Sequence, residues 1–205
     1  MSDIFLDIPE KNIIIGVDEA GRGPLAGPVV AAAVYLKTTD FSAKIADSKK
    51  LSALQREKAF LEICEKGYYG VGIISERVID DINILEATFV AMNNAIANLV
   101  AQIPKKIPGR LHIKDDICLL IDGNQFKTDL PYRYQTIIDG DALDISIACA
   151  SIVAKVLRDR ILNTYDKIFP EYGFSRHKGY PTMAHKKAIE QFGLSTIHRR
   201  SFNHL

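Results

Sequence analysis

Four carboxylates stand where chemistry would want them. Asp18 and Glu19 close the apolar run Ile13–Val17, Asp122 closes the run Asp116–Ile121, and Asp141 follows the run Tyr134–Ile138. The first run is too short and too β-branched for a helix, and all three read as strands ending in turns such as Asp122-Gly123-Asn124 and Asp139-Gly140-Asp141. Ligands of open α/β sheets gather at strand ends, so three strands would deliver four carboxylates to one place. Two carboxylates about 4 Å apart repel by roughly 4 kcal/mol at an effective dielectric of about 20, so such a cluster must take up protons or hold cations. Oxygen donors without Cys or His partners favour Mg²⁺ or Mn²⁺ over zinc. Two such ions about 3.5–4 Å apart suit in-line displacement at phosphorus, one activating water and the other stabilising the leaving oxygen. The expected chemistry is phosphoryl transfer. Neighbours on a strand point to opposite faces, so Asp18 and Glu19 share a site only if the strand bends there, which Gly21 and Gly23 would allow.

The glycine loop between the first two strands has a second reading. Gly21-Arg22-Gly23-Pro24-Leu25-Ala26 matches the G-x-G-x-x-G/A string of dinucleotide-binding folds. That string should open a helix, whereas Pro24 and Pro28 frame a turn into Val29-Val30. The two preceding acids would also repel a pyrophosphate, and neither a P-loop lysine nor a G-x-S-x-G elbow is present. The pattern argues against a nicotinamide-cofactor enzyme.

The elements that must position these residues are legible. The short connection from Val17 to the strand Pro28–Leu36 predicts an antiparallel hairpin. Ser52 caps a helix that runs to Lys66 and stops at Gly67, Tyr69–Ser75 is a third strand, and Ile84–Val100 is a long apolar-striped helix. Ile145, Ala148, Cys149, Ile152, Val153 and Val156 mark one buried helical face. Thr182–Phe192 adds a helix that is basic on one side. The fold class is α/β, a mixed sheet with helices on both faces.

Composition sets the outer limits. The 205 residues carry 26 Lys+Arg against 25 Asp+Glu, with 47% hydrophobic residues, which excludes disordered and collagen-like chains. The length predicts a single domain over 1–205 with a basic helical C-terminal part from about 155. Residues 1–154 hold 16 basic and 21 acidic side chains, whereas 155–205 hold 10 and 4, together with four of the five histidines. An acidic body with a basic end suits nucleic acid, although a solvated basic face has the same composition. The longest apolar run, Val29–Leu36, falls far short of the roughly 20 residues that span a bilayer. Asp3, Asp7 and Glu10 leave no basic leader, so a cytoplasmic protein without membrane partners is expected, and the near-neutral charge points to a monomer. Cys64, Cys118 and Cys149 are too far apart for zinc or redox pairs and are expected to be buried structural thiols.

Taken together, the motifs resemble those of ribonuclease HII. The first signature is Asp18-Glu19-Ala20-Gly21-Arg22-Gly23-Pro24-Leu25-Ala26-Gly27-Pro28-Val29, followed by Asp47-Ser48-Lys49-Lys50-Leu51-Ser52, Ile121-Asp122-Gly123-Asn124 and Gly140-Asp141. The series continues through Ala150–Val156, Arg158-Asp159-Arg160, Tyr172-Gly173-Phe174, His177-Lys178-Gly179-Tyr180 and His198-Arg199 with Ser201-Phe202. The resemblance implies an RNase H-like fold with a C-terminal helical segment and an endonuclease acting on RNA–DNA hybrids and ribonucleotide-containing duplex DNA. It implies cleavage 5′ to the ribonucleotide, leaving 3′-hydroxyl and 5′-phosphate ends, and a role in ribonucleotide removal. Asp18, Glu19, Asp122 and Asp141 would bind Mn²⁺ or Mg²⁺. The backbone of Gly21, Arg22 and Gly23 would meet the ribose 2′-hydroxyl, and Tyr180 would stack on the neighbouring sugar. Lys49 and Lys50 lie in a matched motif and, with Arg158, Lys178, Lys186 and Lys187, are candidates for facing phosphates. His177 and His198 would orient phosphate or pair with an acid, whereas His112, His185 and His204 carry no signal. Asp159 reads as a structural ion-pair partner. In one departure, Asp139 stands where the family commonly has Lys, adding charge near the metals or tilting into solvent. A non-catalytic nucleic-acid-binding module of the same fold is the alternative.

Overall fold

The computed structural model of the protein describes residues 13–103 and 116–203. His112, His204 and the N-terminal acids Asp3, Asp7 and Glu10 lie outside the described residues. Strands β1 (Ile13–Ala20), β2 (Val29–Leu36), β3 (Gly67–Ile74), β4 (Ile117–Asp122) and β5 (Arg133–Ile137) form a sheet of order β3-β2-β1-β4-β5. The pairs β1–β2 and β2–β3 are antiparallel, whereas β1–β4 and β4–β5 are parallel, giving the mixed α/β sheet the sequence pattern predicts. The glycine loop leads into β2 and not into a helix, which disposes of the dinucleotide-binding reading.

Helices α1 (Ala53–Lys66), α2 (Glu76–Ile82) and α3 (Ile84–Val100) precede β4; α4 (Gly140–Leu143), α5 (Ile145–Ile168), α6 (Phe174–His177) and α7 (Met183–Phe192) follow β5. Ser52 caps α1 as expected, accepting from the Gln55 N–H while Gln55 accepts from the Ser52 N–H. The pleat sorts the core. Ile13, Ile15, Val17, Ile117, Leu119 and Ile121 pack with Ala91, Met92, Ala95 and Leu99 of α3 on one face. On the other face Ala32 and Val34 meet Phe60 and Ile63 of α1 and Cys149, Ile152 and Val153 of α5. Helix α5 lies so close to β1 that a methyl group on Gly16 would stand 2.2 Å from the Ser146 carbonyl carbon. That contact fixes the helix against the strand carrying the first two acids. Among the described residues no helix is long and apolar enough to cross a membrane. Cys118 and Cys149 are buried as expected, but Cys64 is exposed, at the edge of the inner face of α1 that Ala59, Phe60 and Ile63 form.

Candidate active site

The parallel register puts Val17 beside Ile121, so Asp18 and Asp122, one residue further along each strand, end neighbouring strands. β1 stays paired through Ala20, and the turn begins at Gly21, so the bend that would bring Asp18 and Glu19 to one face is not made within the strand. The pleat therefore separates Asp18 and Glu19. Asp18 accepts from the Ser151 hydroxyl on α5 and from the Glu19 N–H at 2.6 Å. Glu19 borders a cleft of about 270 Å³ that it shares with Arg22, Asp122, Asn124 and Leu85, Phe89 and Met92 of α3. Asp122 Oδ1 accepts from the Gly140 N–H at 2.8 Å, which ties the end of β4 to the turn carrying Asp141.

Electrostatics joins what the pleat separates. Burial, then the charges of Glu19 and Asp122, hold the Asp18 carboxyl well above its ordinary range. Burial also raises Glu19; Asp122 adds to that, and Arg22, 3.5 Å away, opposes it. Asp141 is raised by burial and by Asp47 and Asp122. Burial works against the charge of Lys49, but Asp47, Asp18, Asp141 and Asp122 outweigh it and hold the ammonium above the usual lysine range. Asp47 is a participant that strand-end reasoning missed: it caps the 3₁₀ turn Ser48–Lys50, lies 3.7 Å from Lys50 and hydrogen-bonds Asp141.

Among the described residues no three Asp, Glu, His or Cys side chains are grouped closely enough to hold one metal ion. The donor chemistry nonetheless fits a hard divalent cation. The carboxylates of Asp18, Glu19 and Asp122 disfavour one another's charge, and Arg22 and Lys49 offset this at Glu19 only in part, so the oxygen donors present suit a hard divalent cation. Asp139, where the family commonly has Lys, is exposed and takes a left-handed backbone conformation at φ 54°.

The remaining candidates divide. A methyl group at Gly23 would stand 3.7 Å from the Tyr180 ring, which is 41% exposed, so the glycine loop and the tyrosine form one surface beside the acids. Lys187 is exposed and Lys186 half-buried. Arg158 does not face phosphate: it is 1% exposed and donates to the Pro28, Ala26 and Lys178 carbonyls. Arg158 continues a second buried stripe of α5, through Ser151 and Ala154, that the apolar periodicity does not mark, so the charge had to find backbone partners. Lys178 Nζ is 2.6 Å from Asn163 Oδ1, a structural contact. Asp159 is the ion-pair partner expected, 2.8 Å from Lys155 and 3.6 Å from Arg56.

The histidines hold structure instead of phosphate. His198 Nε2 is 3.0 Å from His185 Nε2, and His177 stacks on His185 with ring centroids 4.3 Å apart. His185, silent in the sequence, is wholly buried and bonds the Tyr180 carbonyl at 2.9 Å. Its position on the inner face of α7 was the available signal.

A mixed five-stranded sheet with mutually repelling carboxylates at adjacent strand ends is an α/β scaffold suited to divalent-cation chemistry. Comparison with known proteins makes the assignment specific. The pattern of the family described as ribonuclease HII matches residues 15–205. A ribonuclease HII of Ruminiclostridium cellulolyticum is 50% identical over 192 residues, covering 93% of this chain and 70% of the relative. One of Chlorobium phaeobacteroides is 48% identical over 200 residues, covering 95% and 91%. The crystal structure of ribonuclease H2 from Pyrococcus horikoshii superposes with a TM-score of 0.68 at 25% identity, covering 93% and 94%. The chain belongs to the ribonuclease HII family and is a ribonuclease H hydrolase. Divalent-metal dependence is general in that family.

Proposed function

We propose that the protein cleaves the RNA strand of RNA–DNA hybrids and cuts 5′ to single ribonucleotides in duplex DNA, leaving 3′-hydroxyl and 5′-phosphate ends. The observation that carries this reading is the burial of Asp18 against Glu19 and Asp122 within one surface shared with the glycine loop and Tyr180. Asp18, Glu19, Asp122 and Asp141 would hold two Mn²⁺ or Mg²⁺ ions, which when bound lower the pKa of water and neutralise charge on phosphate. The chain's own residues do the rest. Gly140 orients Asp122 and Ser151 orients Asp18. Lys49 and Lys50 border the acids where a phosphate would enter. The backbone of Gly21, Arg22 and Gly23 meets the 2′-hydroxyl, the group that distinguishes ribose from deoxyribose. Tyr180 offers an aromatic face to the adjoining sugar.

The test is a labelled DNA duplex carrying one ribonucleotide, incubated with Mg²⁺, Mn²⁺ or chelator, alongside a long hybrid. A metal-dependent cut 5′ to the ribonucleotide, lost in Asp122→Asn with the fold intact, is the expected result. Duplex binding without cleavage in any metal would establish the non-catalytic module instead.

A further inference from the structure

Two arginines are buried without an ion-paired carboxylate among the described residues, which is costly unless every donor is satisfied. Arg199 is wholly buried, and its fork is spent on the glycine loop. Nη2 donates to the Gly21 carbonyl at 2.6 Å and the Gly27 carbonyl at 2.8 Å, Nη1 to the Arg22 carbonyl at 2.9 Å, and Nε to the Gly27 carbonyl at 2.9 Å. Phe202 backs the guanidinium with its ring centroid 5.0 Å away. Arg158 holds the same loop further along, through the Ala26 and Pro28 carbonyls, and packs against Gly21, where an added methyl would stand 2.1 Å from its Nε.

The consequence follows from peptide geometry. In a trans peptide the carbonyl of one residue and the N–H of the next point in opposite directions. Drawing the Gly21 and Arg22 carbonyls inward onto Arg199 turns the N–H groups of Arg22 and Gly23 outward. Both residues are exposed, and neither N–H donates to a partner among the described residues. Pro24 has no N–H to add, so the outward donors of this stretch are these two. A cation on each carbonyl also polarises its peptide and strengthens the opposite N–H as a donor. We infer that Arg199 is a positioning residue for substrate selection: from behind the loop it aims the Arg22 and Gly23 N–H groups at the sugar hydroxyl, and so sets the preference for ribose. This rests on the reading that the loop meets the substrate sugar.

The experiment is binding by fluorescence anisotropy in chelator, where nothing is cut, to two otherwise identical duplexes, one with a single ribonucleotide and one entirely DNA. The wild type should prefer the ribonucleotide duplex. Arg199→Lys keeps the charge but loses the fork. It should reduce that preference by about 3- to 10-fold, the equivalent of one or two hydrogen bonds, with affinity for the all-DNA duplex unchanged. Arg158→Lys, which gives up bonds to Pro28, Ala26 and Lys178 but leaves the Gly21 and Arg22 carbonyls on Arg199, should reduce the preference less than Arg199→Lys does. An unaltered preference in Arg199→Lys overturns the inference, as does equal weakening on both duplexes or an equal loss in Arg158→Lys. Should circular dichroism show Arg199→Lys unfolded, Phe202→Leu, which removes the ring behind the guanidinium, decides by the same criteria. If the wild type shows no preference, the reading of the loop itself falls, and the inference with it.

Discussion

Asp18→Asn should stabilise the protein in chelator and destabilise it, relative to wild type, in Mg²⁺. An asparagine amide oxygen can still accept from the Glu19 N–H and the Ser151 hydroxyl, so the two contacts survive. Changing the acceptor from charged to neutral weakens each by about 1 kcal/mol, a cost of roughly 2 kcal/mol. Against this stands the repulsion from Glu19 and Asp122, about 2–4 kcal/mol each for charges 4–8 Å apart at an effective dielectric of about 20, together with the cost of desolvating a buried charge. The sum favours the neutral side chain, the same sign as the upward displacement of the Asp18 pKa. A gain of about 2 kcal/mol corresponds to a rise in Tm of roughly 4–8 °C for a chain of this size. Bound metal reverses the order, because an ion at 100 times its Kd adds about 2.7 kcal/mol to whichever protein can hold it. Differential scanning fluorimetry of both proteins in chelator and across a Mg²⁺ titration reads both signs. A variant that melts below wild type in chelator, or an equal Mg²⁺ response in the two proteins, would refute the claim that these acids are destabilised to receive a cation.

Further outcomes follow from other parts of the structure. Tyr180→Ala should lower kcat/KM on a single-ribonucleotide duplex by about 5- to 150-fold, the 1–3 kcal/mol of an aromatic stacking contact, while Tyr180→Phe retains activity in the same steady-state assay. Gly16→Ala should cost about 1–3 kcal/mol or more in urea denaturation, since the added methyl meets the α5 backbone, and should reduce activity by moving the strand that carries Asp18 and Glu19. Burial holds the His177 pKa below the ordinary histidine value. The unfolded chain therefore binds more protons from about pH 6.5 downward, and stability falls as pH drops through that value toward the folded-state pKa. Thermal melts from pH 7.5 to 5.5 should show wild type losing stability relative to His177→Gln.

The strands, the hairpin and the cap of α1 were legible because each depends on local pattern: period-two burial, Pro and Gly punctuation, and a Ser-to-Gln capping pair at Ser52 and Gln55. Strand-end placement made Asp18, Glu19, Asp122 and Asp141 candidates, since the chemistry of a carboxylate after an apolar strand is written in residue types. What pattern does not carry is the partner of a side chain. Arg158 and Arg199 look like ordinary surface cations in a basic segment until α5 and the C-terminal turn bring them beneath the glycine loop, 130 to 178 residues away in sequence. Asp47 sits before a 3₁₀ turn, with no strand to advertise it, and reaches Asp141 only through the tertiary fold. The local pleat rule also holds here: the bend that would have joined Asp18 and Glu19 on one face is absent from the paired strand. β1 runs straight, and the coupling of Asp18 to Glu19 is carried by charge across a shared strand end.

That separation bears on how the site works. The ends of β1 and β4 are held side by side by backbone register, so side-chain rotation alone does not remove the repulsion between the acids they carry. Ser151 and the Glu19 N–H fix Asp18, and the Gly140 N–H fixes Asp122, so neither acid escapes by turning into solvent. The basic side follows the same economy: Lys49 stays at the acids, while Arg158 and Arg199 shape the loop from behind. Charge that would be wasted in solvent is thus used twice, to repel at the strand ends and to hold the backbone that faces the sugar.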